Sequence, residues 1–188
     1  MKKKLVVIGN GMAPGRALEK LFEAAPDAYE VTIFNAEPRV NYDRIMLSPL
    51  LTGEKTFDQI VIHGDGVTLY KGATVTVIDR EAKTVMSARG ITVPYDKLLI
   101  ATGSLPIIIP VPGHKLAGVL TYRDLDDVQA MLVAAKSRGS AVVIGGGLLG
   151  LEAAVGLKEQ GMEVTVLHLA PTLMERQLDT PAGHLLQK

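Results

Sequence analysis

The apolar residues of this chain, chiefly Val, Ile and Leu, occur in short continuous runs and do not alternate with polar residues. Such runs are typical of strands that are buried on both faces of a parallel sheet. The first run, Lys4–Ile8, is followed by the glycine turn Gly9–Gly11 and then by apolar positions at helical spacing from Ala13 to Ala24. A second buried run follows at Tyr29–Phe34. The pattern predicts a strand–turn–helix–strand unit with a right-handed crossover.

The same order of elements returns late in the chain. Ala141–Ile144 is predicted as a strand, Gly145–Gly147 as a turn, Leu149–Gln160 as a helix and Glu163–Leu167 as a strand, and a helix over Asp124–Lys136 precedes them. The two units form a weak internal repeat. We therefore predict an α/β fold with two Rossmann-like, three-layer units.

The middle of the chain has a different texture. After a loop at Asn35–Tyr42 and a short helix at Arg44–Leu51, the chain breaks into brief β-rich pieces separated by turn residues, which predict a small antiparallel meander. These pieces are Thr68–Tyr70, Ala73–Asp79, Thr84–Ser87 and Ile91–Val93. Lys97–Ala101 is predicted as another buried strand, and Leu105–Pro112, with its three prolines, as an extended connection. A further helix can start at Thr180.

Composition narrows the functional classes. The 188 residues include 20 basic and 20 acidic side chains, so no global field attracts nucleic acid or an anionic membrane. The absence of cysteine excludes a disulfide scaffold, a cysteine nucleophile and an Fe–S cluster within this stretch, and the four histidines lack metal-ligand spacing. The apolar run after Met1–Lys4 ends at Gly9, too early for a signal peptide, and no run is long enough to span a membrane. We expect a cytoplasmic protein without a metal site.

The second glycine turn carries a complete G-x-G-x-x-G pattern. Gly145 suits a tight turn, Gly147 lets a pyrophosphate approach the backbone, and Gly150 lets the helix pack closely on the sheet. The following helix offers unpaired N–H groups and the positive end of its dipole to phosphates. In isolation the motif also fits a turn that binds nothing, but the strand–turn–helix–strand setting favours dinucleotide binding.

The first glycine turn is less regular, because Gly9 and Gly11 are followed by a third glycine one place late, at Gly15. Pro14 takes the expected slot and suits the first turn of a helix. Two turns of this kind, each after a near-identical apolar strand, predict that the chain binds two dinucleotides.

The residue that ends the second strand of such a unit usually accepts hydrogen bonds from a ribose. In the first unit Asn35 and Glu37 are candidates, and its charge favours Glu37. In the second unit the position holds His168. Because histidine repels a phosphate only weakly, the choice between NAD and NADP stays open.

Two glycine units around a meander that leads into Ala101-Thr102-Gly103 resemble the two-dinucleotide flavoprotein reductases of the pyridine nucleotide oxidoreductase superfamily. More narrowly, the tracts Phe34–Leu50, Gly118–Asp127 and Pro171–Asp179 resemble the large subunits of assimilatory NAD(P)H nitrite reductases. The resemblance covers essentially the whole chain. It implies FAD on the first unit, NAD(P)H on the second, and hydride transfer from nicotinamide to flavin.

The resemblance also implies roles for individual residues. On the FAD side, Gly9, Gly11 and Gly15 would face the pyrophosphate and Glu37 the adenosine ribose. Arg44 would pair with a phosphate or the flavin, the Val75 backbone would contact adenine, and Thr102 and Gly103 would lie near the cofactor. On the other side, Gly145, Gly147 and Gly150 would hold the nicotinamide dinucleotide. Glu152 would lie near the flavin–nicotinamide contact, and an ordinary solvated helix carboxylate is the alternative interpretation of this residue.

The chain departs from related rubredoxin and ferredoxin reductases in two places. These relatives carry a lysine near the flavin where this chain has Pro49. The stretch 63–67 is shorter than the family pattern, which indicates either a deletion or a loop that is missing from this sequence.

The resemblance also implies that the chain is an N-terminal fragment. Residues 1–115 would be the first segment of an FAD domain and 116–188 the start of an inserted NAD(P) domain, with the Fe4S4 cluster and sirohaem of nitrite reduction further along. Electrons would pass to those centres or to an acceptor protein, and the isolated fragment would not reduce nitrite. A rubredoxin- or ferredoxin-type reductase and a non-catalytic dinucleotide-binding module are the alternatives, and a homodimer stays open.

Overall fold

The computed structural model describes residues 2–62, 64 and 66–188, so the predicted shortening at 63–67 lies partly outside the described residues. The strands are β1 Lys3–Ile8, β2 Tyr29–Phe34, β3 Val67–Tyr70, β4 Val75–Asp79, β5 Thr84–Ser87, β6 Thr92–Pro94, β7 Lys97–Ile100, β8 Ser140–Ile144 and β9 Glu163–Leu167. The helices are α1 Met12–Ala24, α2 Leu47–Thr52, α3 Leu125–Ala135, α4 Leu148–Glu159 and α5 Thr180–Leu186. The predicted α/β class is confirmed.

The chain divides into two compact units. The first comprises Met1–Arg44 and Ile60–Ser104, and the second comprises Ile45–Gln59 and Leu105–Lys188. The second unit therefore includes α2, a segment that precedes the meander in sequence. The division of the chain into cofactor domains at residues 115 and 116 is a different matter and stays a prediction.

The first unit is built on a four-stranded, fully parallel sheet in the order β3-β2-β1-β7. Leu5 and Val7 of β1 pack with Leu18 of α1 on one face of the sheet. Val6 and Ile8 pack on the opposite face against a cluster that includes residues of the meander. Both faces of the central strand are thus covered, which explains why its apolar residues are continuous in sequence.

The predicted meander contains one strand too many. β4, β5 and β6 form the expected antiparallel sheet, but β3 pairs in parallel with β2 and belongs to the main sheet. Side chains decide its place, because Val67 and Leu69 pack against the core on the α1 side and the Tyr70 ring lies 5.2 Å from the ring of Phe34. A four-residue strand carries too little sequence pattern to show which neighbour it pairs with.

The second unit contains a two-stranded parallel sheet, β8-β9, connected through α4. Helices α2, α3 and α4 pack together, and Gly156 of α4 lets the Leu51 side chain of α2 approach its backbone closely. A Cβ atom on Gly156 would lie 2.6 Å from Cγ of Leu51, a side chain that is fully buried. The amide of Gln160 also donates to the Leu51 carbonyl oxygen at 2.9 Å, which fixes α2 against α4.

Apolar side chains of three strands are more exposed than the continuous apolar runs suggest. Val142 and Ile144 of β8 and Leu167 of β9 are each more than half exposed, because α4 covers the other face of this sheet. In the first unit β7 is an edge strand, and its Ile100 is 60% exposed. Leu98 and Leu99 of β7 nevertheless pack against the clusters on opposite faces of the first sheet. An apolar run alone does not show whether both faces of a strand are covered.

The predicted helix at Arg44–Leu51 consists of two pieces, a 3-10 turn at Arg44–Met46 and the helix α2. Pro49 lies in the first turn of α2, where a backbone N–H has no partner within the helix, so the proline does not break it. Helix α3 begins with a capping box in which the side chains of Asp124 and Asp127 each accept from the other's backbone N–H. None of the helices in the described part of the chain has the length and hydrophobicity that a membrane span requires.

Candidate functional site

The first glycine turn connects β1 to α1, and two of its glycines have close neighbours. Gly9 has φ +109°, and a Cβ atom there would overlap the carbonyl oxygen of Ala101 and lie 2.7 Å from its carbonyl carbon. A Cβ atom on Gly15 would lie 2.7 Å from Nδ2 of Asn41. The fold therefore requires glycine at position 9, where the neighbour is backbone, whereas at Gly15 the neighbour is the end of the Asn41 side chain.

Gly11, the N-cap of α1, is different. Its φ is −91°, which any residue adopts, and the nearest atom to a Cβ atom there is Nε of Arg44 at 4.0 Å. The backbone is thus left open at the beginning of α1, where N–H groups lack partners within the helix. The fold gives little reason for glycine here, whereas a phosphate approaching the backbone requires the space.

A charged cluster lies beside this opening. The Arg44 guanidinium forms an ion pair with Glu37 and lies 4.9 Å from the centre of the Tyr42 ring. The Tyr42 hydroxyl donates to the other carboxylate oxygen of Glu37 at 2.9 Å, and the Arg39 guanidinium is 3.8 Å from the same oxygen. The structure therefore brings together Glu37 and Arg44, the two residues to which different FAD contacts were assigned.

Asn35 and Glu37 were both candidates for the ribose at the end of β2. The Asn35 amide donates to the Arg39 carbonyl oxygen at 2.8 Å and its side-chain oxygen accepts from the Glu37 N–H at 3.3 Å. Asn35 is buried and stabilises the loop, whereas the Glu37 carboxylate is partly accessible. The geometry favours Glu37.

Asn41 was missed by the sequence reasoning. Its amide donates to the Gly11 carbonyl oxygen at 3.3 Å, and its side-chain oxygen is buried without a hydrogen-bond partner among the described residues. A buried acceptor without a partner is costly unless a ligand or water supplies a donor. This orphaned oxygen and the open Gly11 both fit a bound dinucleotide. The sequence gives no signal for it, because Asn41 reaches Gly11 from 30 residues away.

The remaining predicted FAD contacts lie in the same unit. Val75 begins β4 and packs, partly buried, against the cluster of Ile8 and Phe34. Thr102 follows β7, and its backbone nitrogen lies 3.2 Å from where a Cβ atom of Gly9 would be. Gly103 has φ +74° and open space around it. Thr102 therefore borders the first turn, while the roles of Val75 and Gly103 stay predictions.

The second glycine turn connects β8 to α4. Gly145 has φ +123°, as a tight turn requires, and a Cβ atom on Gly150 would overlap the carbonyl oxygen of Gly145 and lie 2.9 Å from its carbonyl carbon. Gly147, the N-cap of α4, has an ordinary φ of −85° and no atom within 4 Å of a Cβ position. Gly11 and Gly147 thus share one geometry: an extended backbone at the beginning of a helix, with the side-chain space empty.

The segment after β9 folds back over this second turn. The Gly146 N–H donates to Nδ1 of His168 at 3.0 Å, and its carbonyl oxygen accepts from the Met174 N–H at 2.9 Å. Nε2 of His168 lies 3.1 Å from a carboxylate oxygen of Glu175. The pKa of Glu175 lies below its usual value, first because its own backbone N–H donates to the carboxylate and also because of His168. The sequence reasoning placed His168 at the strand end but missed Glu175, although Glu175 lies in the tract Pro171–Asp179.

Glu152 is held by hydroxyl groups. The Ser48 hydroxyl donates to Glu152 at 2.6 Å, and the Tyr122 hydroxyl lies 2.8 Å from the same Ser48 oxygen. Because a serine hydroxyl has one hydrogen, Ser48 must accept from Tyr122, and the chain of donors runs from Tyr122 through Ser48 to Glu152. Burial, and after it the Glu152 charge, raises the pKa of Tyr122.

The comparison with known families is decisive. The family model for pyridine nucleotide-disulphide oxidoreductases matches residues 3–188. The chain belongs to this family. The disulfide in the family description has no counterpart here, since the chain contains no cysteine.

Among curated family members, the chain is 50% identical over 192 residues to nitrite reductase [NAD(P)H] of Bacillus subtilis, covering 99% of this chain and 24% of that protein. It is 45% identical to the assimilatory nitrate reductase electron transfer subunit of the same organism, covering 99% of this chain and 25% of that protein. The chain thus spans about a quarter of the length of these relatives.

Solved structures confirm the fold. NADH:rubredoxin oxidoreductase from Clostridium acetobutylicum is similar with a TM-score of 0.85 and 28% identity, covering 99% of this chain and 50% of that one. A ferredoxin reductase from Rhodopseudomonas palustris has a TM-score of 0.90 and 25% identity, covering 99% of this chain and 47% of that one. These proteins share the architecture predicted from the two glycine units.

Proposed function

We propose that the chain is the electron-entry module of a flavin-dependent NAD(P)H oxidoreductase of the nitrite reductase type. FAD would bind at the first glycine turn and NAD(P)H at the second. When bound, the flavin supplies the hydride acceptor and releases electrons one at a time. The protein supplies binding, orientation and electrostatics.

The observation that carries this proposal is the shared geometry of Gly11 and Gly147. At both positions the backbone conformation and the free space admit a larger residue, and a serine, asparagine or aspartate would cap the helix at least as well. A bound pyrophosphate needs both the missing side chain and the unpaired N–H groups. The chain has this geometry twice, which supports two dinucleotides.

At the first turn, the neighbouring side chains favour FAD. Arg44 places a permanent positive charge beside Gly11, where it can meet a phosphate. Glu37 and Tyr42 orient this guanidinium, and the Glu37 carboxylate keeps lone pairs for ribose hydroxyls. The buried oxygen of Asn41 provides a further acceptor. These groups fit FAD, which the resemblance assigns to this unit.

At the second turn, Glu152 is the residue we assign to the nicotinamide. In the described part of the chain it forms no ion pair, and its hydrogen-bond donor is the neutral Ser48 hydroxyl. The donor chain from Tyr122 stabilises the carboxylate without cancelling its charge. A carboxylate held in this way would favour the positively charged nicotinamide ring that remains after hydride transfer. Relatives carry a lysine at the position of Pro49. In this chain a proline cannot neutralise the Glu152 carboxylate, which is contacted by the Ser48 hydroxyl.

The relatives suggest where the electrons go. The names of two similar curated proteins describe a nitrite reductase and an electron transfer subunit of nitrate reductase. We therefore propose redox centres in the same polypeptide, or an electron-acceptor protein, as the next carrier. The Fe4S4 cluster and sirohaem are predicted outside this chain. A cytoplasmic location and a homodimer also stay predictions.

A rubredoxin- or ferredoxin-type reductase is the second candidate. The solved structures of a rubredoxin and a ferredoxin reductase share the fold at 28% and 25% identity. The higher identity of 50% to a nitrite reductase favours the first candidate.

The experiment is an anaerobic absorbance titration of the purified chain after incubation with FAD. We expect bound flavin to show its blue absorption band and NADH or NADPH to bleach it. A protein that retains no FAD and binds neither nicotinamide dinucleotide would contradict the proposal and favour a non-catalytic fragment.

Two matched variants assign the sites. Gly11→Ala is expected to abolish retention of FAD, whereas Gly147→Ala is expected to retain FAD but resist bleaching. Gly139→Ala is the control, because a Cβ atom there meets only Oγ of Ser137, at an ordinary 3.5 Å. Loss of flavin in Gly139→Ala as well would show that the assay reports instability and not the sites.

A further inference from the structure

The turn at Gly146 is closed by the segment that follows β9. Both peptide groups of Gly146 are engaged, the N–H with His168 and the carbonyl oxygen with the Met174 N–H. A Cβ atom on Gly146 would lie 2.8 Å from Cγ of His168, so the imidazole lies directly on the turn. Met174 adopts φ +53°, a left-handed conformation that is unfavourable for methionine. The surrounding contacts therefore hold this segment in one arrangement.

The hydrogen bonds determine how the imidazole is protonated. A backbone N–H only donates, so Nδ1 of His168 must be the acceptor and carry no hydrogen. The single hydrogen of a neutral ring then lies on Nε2, which faces the Glu175 carboxylate at 3.1 Å. His168 in this state is neutral, and it positions a carboxylate from seven residues further along the chain.

This places a negative charge where the sequence alone showed none. In Rossmann-like units an acidic residue at the end of the second strand accepts from the ribose hydroxyls and disfavours a 2′-phosphate. Here His168 occupies that position, and Glu175 reaches it from the following segment. Glu175 has a side-chain exposure of 41%, so its carboxylate faces the imidazole with one oxygen and remains accessible to a ligand.

We propose that Glu175, positioned by His168, selects NADH against NADPH at the second glycine turn. Glu175 is the specificity-determining group and His168 its positioning residue. The inference rests on the proposed function, since it assumes that a nicotinamide dinucleotide binds at this turn. It assigns the cofactor that the strand-end histidine leaves open.

The test compares NADH and NADPH binding to the purified, FAD-treated chain by calorimetry. We expect the parent chain to prefer NADH by about tenfold or more, from the repulsion between a carboxylate and a phosphate of nearly two charges. Glu175→Gln keeps an acceptor for Nε2 of His168 but removes the charge. It should tighten NADPH binding by about tenfold and change NADH binding by less than about twofold.

Glu159→Gln is the matched control. It removes the same charge from an exposed position at the far end of α4, about 16 Å along the helix from Leu148. Screening at physiological salt acts over about 8 Å, so this variant should keep the parent preference. An equal gain of NADPH affinity in both variants would show a general charge effect and overturn the inference.

His168→Asn tests the positioning role. The asparagine oxygen can still accept from the Gly146 N–H, but the side chain no longer reaches Glu175. We expect a folded protein with a reduced preference for NADH. Nitrogen-15 NMR of the His168 ring supplies a readout independent of any cofactor, with a hydrogen expected on Nε2 and none on Nδ1. The opposite tautomer would overturn the inference.

The outcomes separate the two levels of the proposal. Equal binding of NADH and NADPH by the parent chain would overturn the specificity assignment alone. A preference for NADPH that is lost in Arg176→Ala would assign the neighbouring arginine instead and overturn the role of Glu175. Binding of neither dinucleotide would overturn the proposed function together with this inference.

Discussion

Gly147→Ala should weaken dinucleotide binding and Gly150→Ala should lower stability, although the two positions lie three residues apart in one glycine motif. Gly150 is required by the fold, because its Cβ atom would overlap the backbone of Gly145. Gly147 has free space and an ordinary backbone conformation, so glycine there is required only by a ligand. The pair separates stability from binding at one turn.

The magnitude for Gly150→Ala follows from two terms. Forcing a methyl group against rigid backbone costs about 3 kcal/mol, at the upper end for overpacking, and alanine returns about 1 kcal/mol of helix propensity. The variant should therefore lose about 2 kcal/mol of unfolding free energy, or about 4–8 °C in Tm. This is a large share of a typical total of about 5–15 kcal/mol.

For Gly147→Ala the terms nearly cancel. Alanine is a poorer N-cap than glycine by about 0.5 kcal/mol, and it lowers the entropy of the unfolded chain by a similar amount. The free energy of unfolding should stay within about 0.5 kcal/mol of the parent. NADH affinity should fall by at least about tenfold, because the methyl group takes the space of the pyrophosphate.

The assay measures urea unfolding by circular dichroism without nucleotide, and NADH binding by calorimetry, for the parent, both variants and the Gly139→Ala control. A Gly147→Ala protein that binds NADH as tightly as the parent would refute the reasoning. So would a Gly150→Ala protein as stable as the parent.

Four further predictions concern single residues. Val7→Ala should cost about 2–3 kcal/mol of unfolding free energy, measured by urea denaturation, because Val7 is fully buried in the first unit. Arg44→Gln should weaken FAD retention by about tenfold in equilibrium dialysis while leaving NADH affinity unchanged, since it removes the cation beside Gly11. The pKa of Tyr122 is raised, so its phenol should ionise at higher pH than an ordinary tyrosine. In an ultraviolet absorbance titration, Tyr122→Phe should lack this late ionisation step, and the parent should show it. Folding lowers the pKa of Glu175, so the charged carboxylate stabilises the fold above its unfolded pKa of about 4.3. This stabilisation is lost as the pH falls through the lower pKa of the folded state. The difference in unfolding free energy between the parent and Glu175→Gln, measured by urea denaturation, should therefore shrink in acid.

The sequence predicted the elements that carry long, one-sided signals. The run at Val6 and Val7 indicated a strand buried on both faces, and the structure shows both side chains in opposite clusters. The glycine positions were predictable because conformation and close approach leave few other residues, as at Gly9 and Gly150. Features of this kind depend on residues that are close together in sequence, so they can be predicted from it.

Contacts between distant segments were not predictable in the same way. β3 was assigned to the meander, because four residues do not reveal their partner strand. Ser48 and Glu152 are separated by 104 residues, and the sequence around each residue does not indicate that they are in contact. Glu175 reaches His168 only because the segment after β9 turns back, with Met174 in a conformation that its residue type does not favour. Tertiary packing determines these features, and the most chemically informative groups of the second unit depend on them.

The most direct measurement is the stoichiometry of dinucleotides on the purified chain. Native mass spectrometry with saturating FAD and NADH should show one molecule of each bound to the same chain, because each open glycine turn holds one. Gly11→Ala should lose only the FAD mass, and Gly147→Ala only the NADH mass. A chain that carries a single dinucleotide, with FAD and NADH displacing each other, would contradict the assignment of two sites.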